Sequence, residues 1–197
     1  GVEAGAMIVL TSIVPDGVWI LPEEEVDRLA RRFPDVTFVN APGREERLRE
    51  LPRAEIAFLS RLRPDEFGVA TSLRWIQSPA AGVGNLLFPE LCDSSVVVTN
   101  ARGLHGESIA EHVVAVTLVL FRQIHRAIRN QASRTWVKDD LPLAAYRTLH
   151  GKCLAVVGMG AIGTAVAEKA SALGMRVAAV RRHPEKPCPT CVDEVFG

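Results

Sequence analysis

The sequence predicts an α/β chain made of two parallel, doubly wound sheets in succession, joined by a long helix. Three observations carry this. Short apolar runs rich in β-branched residues alternate with segments of helical spacing through residues 1–100. From Ser108 the apolar residues recur instead at three-and-four spacing. A buried-type run, Cys153-Leu154-Ala155-Val156-Val157, then enters Gly158-Met159-Gly160-Ala161-Ile162-Gly163 and a helix-like stretch. That is the front half of a dinucleotide-binding βαβ unit.

Taken in order, Met7 to Val14 reads as a first strand. Pro22 opens a helix whose first turn holds Glu23, Glu24 and Glu25, where carboxylates suit the dipole; Val26, Leu29, Ala30 and Phe33 follow at helical spacing. Val36 to Val39 is a second strand, and Glu45 to Leu51 is weakly helical. Glu55 to Ser60 is a third strand, Pro64 to Ala70 a helix, and Leu73 to Ser78 a fourth strand. Val83 to Leu91 contains a short helix or helical turn, and Ser95 to Thr99 is a fifth strand. Ala110, Val113, Val114, Thr117, Phe121, Ile124 and Ile128 define one long buried helix capped near Glu107 or Ser108. Arg129 to His150 is polar and irregular, with Trp136 and Tyr146 as anchors. Two strands of the second sheet follow, Leu154 to Val157 and Arg176 to Val180, with the helix Thr164 to Leu173 between them.

Composition narrows the function class. Lys plus Arg and Asp plus Glu both number 23, so the formal charge is zero, and the basic residues are scattered. This disfavours nucleic acid as a partner. The most apolar stretch, Ile109 to Phe121, is too short to span a membrane. Gly1 to Ala6 has no basic n-region, so a cytoplasmic protein is expected. Cys153 is expected as a core thiol. Cys188-Pro-Thr-Cys191 lacks the second pair a zinc site would want, and reads as a loop with two incidental thiols.

The glycine segment has a specific chemical reading. Gly158 permits the tight turn, Gly160 lets backbone approach a diphosphate, and Gly163 lets helix and strand pack closely. The N–H groups at Ala161, Ile162 and Gly163 then face the anion from the positive end of the helix. An NAD-type site places a carboxylate on the ribose hydroxyls about twenty residues past the last glycine. Arg181 and Arg182 stand there instead. A guanidinium cannot accept a ribose hydroxyl but pairs bidentately with a 2′-phosphate, so NADP is the expected cofactor, with NAD the alternative.

Several segments together resemble the D-isomer-specific 2-hydroxyacid dehydrogenases. They are Leu73-Arg74-Trp75-Ile76-Gln77-Ser78-Pro79-Ala80-Ala81-Gly82-Val83-Gly84, Val98-Thr99-Asn100-Ala101-Arg102-Gly103, Ile109-Ala110-Glu111-His112-Val113, Gly151-Lys152 and the glycine motif, in the family's order. The resemblance runs from about Ala54 to Arg182. It implies a flavodoxin-like substrate domain over residues 1–100, incomplete, and the first part of a Rossmann nucleotide-binding domain over 101–197, truncated, joined by the long helix. It implies hydride transfer between a nicotinamide cofactor and a small 2-hydroxy or 2-oxo acid of the glyoxylate or hydroxypyruvate type. By the same resemblance, Ala81, Gly82 and Val83 offer backbone N–H groups to the substrate carboxylate, while Arg61 and Leu62 line the substrate side. The family's acidic residue would fall at Gly84 or Asn85, and neither is acidic. Family members commonly form dimers, with the helix near Ile109 to Ile128 involved in association.

The family's catalytic arginine, histidine and carboxylate lie well past the glycine motif. They are therefore expected beyond Gly197, so that the chain is a fragment with a two-stranded nucleotide unit, inactive as it stands. No catalytic residue is assigned within the chain. His112, His125, His150 and His183 read as structural or solvated, His105 at most as a ligand neighbour, and Arg102 as a hinge or solvated residue. Residues from Lys152 onward are expected to be loosely held unless packed on the long helix or on another chain. Two other readings stand beside the dehydrogenase: a nicotinamide-sensing, co-repressor-like binding protein of the same superfamily, and a flavoprotein. The internal position of the glycine motif, behind an α/β domain that matches the dehydrogenase order, speaks against the last.

Overall fold

The structure, a computed structural model, describes residues 7–12, 21–136 and 146–197. Sequence readings at Gly1 to Ala6, at Ile13 and Val14, and over 137–145 lie outside the described residues. The chain divides into two compact units, Gly1–Arg102 and Gly103–Gly197.

In the first unit, β1 (Met7–Ser12) is followed by α1 (Glu23–Arg32), β2 (Val36–Asn40) and α2 (Arg44–Glu50). A single 3₁₀ turn, Leu51–Arg53, leads to β3 (Ile56–Leu59), α3 (Pro64–Val69) and β4 (Trp75–Gln77). The 3₁₀ turn Gly84–Leu86, α4 (Pro89–Cys92) and β5 (Val97–Thr99) complete it. All strands pair in parallel in the order β2-β1-β3-β4-β5. This is the flavodoxin-like order, and its direction reverses between β1 and β3. The core is apolar: Leu10, Leu51, Ala57, Leu59, Ile76 and Leu86 are fully buried.

Two helices of this unit start on glutamate-backed turns. The Gly43 N–H donates to Glu46 Oε2 at 2.9 Å, and the Arg63 N–H to Glu66 Oε2 at 3.0 Å. Each carboxylate satisfies a donor that the helix itself leaves open. Glu66 also joins α3 to α2. Its Oε1 accepts from Arg47 Nε at 3.1 Å and Nη2 at 2.9 Å, while Arg47 Nη1 donates to the Pro42 carbonyl at 2.7 Å. Both side chains are only 1% exposed. Nearby, burial works against the Glu50 carboxylate, but hydrogen bonds from Arg53 and Arg49 outweigh it and hold the carboxyl below its usual range.

The second unit begins with α5 (Gly106–Phe121) and α6 (Ile124–Ala132), then β6 (Cys153–Val157), α7 (Ala161–Ala172), β7 (Arg176–Val180) and β8 (Glu194–Phe196). Its sheet is parallel, in the order β6-β7-β8. Four sequence expectations are corrected here. The nucleotide unit has three strands rather than two, because Glu194–Phe196 adds to β7. The single long helix is two helices, broken where Gln123 takes a left-handed conformation at φ 56°. That helical run is not buried: of α5, Gly106 and Ala110 alone are buried, whereas Val116, Leu120 and Ile128 are 43%, 55% and 58% exposed. Finally, Cys153 is exposed rather than a core thiol, because one face of the sheet is open, with Val157 83% exposed. Trp136 anchors nothing among the described residues, at 91% exposed, and Tyr146 is half-exposed.

Residues from Lys152 onward do pack on α5, the first part of that helical run. α5 lies along α7, and a Cβ at Gly106 would sit 3.1 Å from the Ala161 carbonyl. Lys169 Nζ donates to Glu107 Oε2 at 2.7 Å across the same pair of helices. That bond raises the Lys169 pKa above its ordinary value. Among the described residues no helix is long and apolar enough to cross a membrane.

Candidate functional site

The second unit builds the glycine turn as the sequence implies. Apolar residues of β6 and β7 that face α7, Val156, Val177 and Ala179, are buried and fix the strand–helix layer. At the end of β6 the chain turns at Gly158, whose φ of 94° suits glycine. Its N–H donates to the Val180 carbonyl at 2.8 Å, which ties the turn to the end of β7. Gly160 caps α7, and the Thr164 N–H reaches back to its carbonyl at 2.9 Å. The N–H groups of Ala161, Ile162 and Gly163 therefore have no intrahelical acceptor.

Space decides the role of the other glycines. A Cβ at Gly163 would lie 2.0 Å from the Gly158 carbonyl oxygen and 3.2 Å from Val156 Cγ1. A Cβ at Gly160 would meet nothing within 4 Å. Gly163 is thus required for helix–strand packing, while Gly160 leaves an open surface beside the helix start. Gly160, Ala161 and Ile162 are all exposed.

At the end of β7 the two arginines separate. The Arg181 N–H donates to the Phe196 carbonyl of β8 at 2.9 Å. Its guanidinium turns onto the β7–β8 connection, Nη1 to the Pro187 carbonyl at 3.1 Å and Nη2 to the Pro184 carbonyl at 3.4 Å. Arg181 Nε is buried and meets no acceptor among the described residues. Arg182 is exposed. His183 and Glu185 pair at 3.3 Å in the same connection. Cys188 and Cys191, also in it, are half-buried free thiols. No group of three or more metal-ligating side chains occurs among the described residues.

The first unit holds the other sequence-identified segment. After β4, Ser78 is fully buried and its Oγ accepts from the Ala80 N–H at 3.2 Å. The Ala101 N–H donates to the Ala80 carbonyl at 3.1 Å, and Asn100 Nδ2 donates to the Ala81 carbonyl at 2.7 Å. The loop is thereby held from the end of β5, with Ala81 and Gly82 exposed and Val83 half-buried. A Cβ at Gly82 would meet nothing within 4 Å, so the backbone there is open to a ligand. Asn100 thus holds this loop, a contact that its place in Val98 to Gly103 does not reveal in sequence. Arg61 is half-buried in the loop after β3, at the point where the strand order reverses. Leu62, by contrast, is 2% exposed and belongs to the core cluster, so its side chain packs inward.

A parallel sheet whose first strand turns through Gly158–Gly163 into the open start of a helix is a dinucleotide-binding α/β unit. Residues 114–194 match the model of the NAD binding domain of D-isomer specific 2-hydroxyacid dehydrogenases. A D-3-phosphoglycerate dehydrogenase of Archaeoglobus fulgidus is 31% identical over 162 residues, covering 81% of this chain and 30% of that protein. A glyoxylate reductase of Korarchaeum cryptofilum is 26% identical over 163 residues, covering 80% of this chain and 49% of that protein. The crystal structure of a D-isomer specific 2-hydroxyacid dehydrogenase family protein from Aeromonas salmonicida superposes with a TM-score of 0.78 at 26% identity, over 96% of this chain and 57% of that one. The chain belongs to the D-isomer-specific 2-hydroxyacid dehydrogenase family. It spans half or less of the length of these two curated relatives.

Proposed function

We propose that the intact protein transfers a hydride between NADP(H) and a small 2-oxo or 2-hydroxy acid of the glyoxylate or hydroxypyruvate type. The observation that carries this reading is the pairing of an open glycine turn at Gly158–Gly163 with two arginines, and no carboxylate, at the end of β7. When bound, the reduced nicotinamide supplies the hydride. The chain's own part is to bind and orient. The amides of Ala161, Ile162 and Gly163 meet the diphosphate at the positive helix end, where an anion is favoured. Gly160, with open space where a Cβ would be, gives the diphosphate access to the backbone. The cationic end of β7 meets the 2′-phosphate. The exposed backbone of Ala81 and Gly82, with Val83, receives the substrate carboxylate, with Arg61 as an auxiliary cation. The arginine, histidine and carboxylate that move the proton are assigned to the parent protein outside residues 1–197. The spans of 30% and 49% of the curated relatives support that assignment.

The test is a titration of the intact protein with NADPH and NADH, followed by turnover with glyoxylate and hydroxypyruvate. NADPH should bind about tenfold or more tightly, because a hydrogen bond to a charged group is worth about 1.5–3 kcal/mol and each ~1.4 kcal/mol is a decade. Equal affinities would overturn the NADP assignment. Binding of either cofactor with no turnover of any 2-oxo acid would favour the sensor reading over the enzyme.

Association through α5 and α6 belongs to the same proposal. Ile109, Val116, Leu120, Ile124 and Ile128 are all exposed large apolar residues of these two helices. Uncovered apolar area of this kind marks interaction surfaces. A homodimer is expected by sedimentation at micromolar concentration, and Leu120→Glu should shift it to monomer. A parent protein that is monomeric throughout would remove this part.

A further inference from the structure

We propose that Arg181 is a positioning residue and not itself a phosphate ligand: it clamps the β7–β8 connection so that Arg182 presents the cation that selects the cofactor. The proposal rests on the NADP reading above and divides its cationic site in two. The connection runs His183-Pro184-Glu185-Lys186-Pro187-Cys188-Pro189. Prolines have no N–H, so this segment is poor in donors and rich in carbonyls that must find one. Arg181 supplies them. Its Nη1 and Nη2 reach the Pro187 and Pro184 carbonyls at 3.1 and 3.4 Å, while its backbone N–H pairs with Phe196 at 2.9 Å.

Side chain and main chain of one residue thus fix both ends of the turn and the start of the segment. Arg181 Nε is shut off from solvent with no acceptor among the described residues. A guanidinium held this way has committed two of its donor-bearing nitrogens to protein, and a third faces no solvent. The side-on bidentate grip on a 2′-phosphate uses Nε together with one Nη, and the buried Nε closes it. Arg182 is exposed and follows directly from the clamped residue, so the clamp sets where Arg182 starts. The turn itself is closed by the Lys186 N–H to the His183 carbonyl at 3.3 Å.

The experiment compares wild type, Arg181→Ala and Arg182→Ala in the intact protein. Amide exchange at Lys186 is read without cofactor, and NADPH and NADH affinities by titration. Arg182→Ala should lose about tenfold in NADPH affinity, keep its NADH affinity and keep wild-type exchange at Lys186. Arg181→Ala should speed exchange at Lys186 by about tenfold or more and weaken NADPH as a consequence. Arg181→Lys, which can reach one carbonyl, should recover part of the protection. Wild-type exchange in Arg181→Ala, or an NADPH preference that survives Arg182→Ala, would overturn the proposal. A wild type with no NADPH preference would instead overturn the cofactor reading, and with it the role of Arg182. The clamp would then be decided by the Lys186 exchange alone.

Discussion

Gly163→Ala is expected to abolish tight cofactor binding and to loosen the second unit at the same time. The new Cβ would fall 2.0 Å from the Gly158 carbonyl oxygen, a backbone atom that cannot rotate away. Either α7 lifts off β6 or the turn at Gly158 shifts. Gly158 is tied by its N–H to Val180, so a shift there also pulls on the end of β7 where the arginines begin. Overpacking of this kind costs about 1–3 kcal/mol in stability. The amides of α7 would also be displaced from the proposed diphosphate site, and N–H···O bonds weaken steeply once stretched or bent away from their working geometry. Gly160→Ala separates the two effects. Its Cβ meets no atom of the chain within 4 Å, so folding should be unchanged. Any loss of cofactor affinity there must come from the methyl group standing where the diphosphate approaches. Thermal unfolding and NADPH titration of both variants make the check. A Gly163→Ala protein with wild-type affinity would show that the anion does not sit on this turn.

The parts of this site that were legible in the sequence are those whose signal is local. Gly158 and Gly163 announce themselves because the φ of the first suits glycine and the contact at the second leaves no room for a Cβ, while at Gly160 the chain itself leaves open space. The parallel sheets were legible because each strand carries a short apolar run between turn residues. What is not legible depends on neighbours. Periodicity ran through Arg122 and Gln123 unbroken, so the left-handed kink at Gln123 left no trace in the apolar pattern. Glu194–Phe196 is too short for alternation to register, and it becomes a strand through its pairing with β7. Cys153 opens a run of buried type, and nothing in that run tells which face of the strand is covered. Its face is open among the described residues. Arg181 and Arg182 are identical in composition and adjacent in sequence. They part company because the proline carbonyls that capture Arg181 come from the turn that follows.

Glu66→Ala is expected to destabilise the first unit strongly, because it breaks a fully buried ion pair. The pair it breaks is 1% exposed on both sides. Burial of each ion is costly, and the cost is offset only while Arg47 and Glu66 face each other and their remaining donors and acceptors are filled. Here they are filled: Glu66 takes Arg63 N–H on its second oxygen, and Arg47 gives its other nitrogen to Pro42. Removing the carboxylate leaves the buried Arg47 guanidinium without its counter-charge and opens the first turn of α3. The expected loss is about 3–5 kcal/mol. For a domain of this size that lowers the unfolding midpoint by roughly 15 °C or more, at several degrees per kcal/mol. The converse substitution sharpens the point. Replacing Arg47 with Met and Glu66 with Leu together removes both charges and keeps the volume, and such exchanges are often neutral or stabilising. The double variant should therefore unfold well above Glu66→Ala. If both unfold at the same temperature, the pair works through the α3 capping contact to Arg63 and not through charge burial. In sequence, both residues sit among other charges of amphipathic helices and look solvated. Only the packing of α2 against α3 turns them into core.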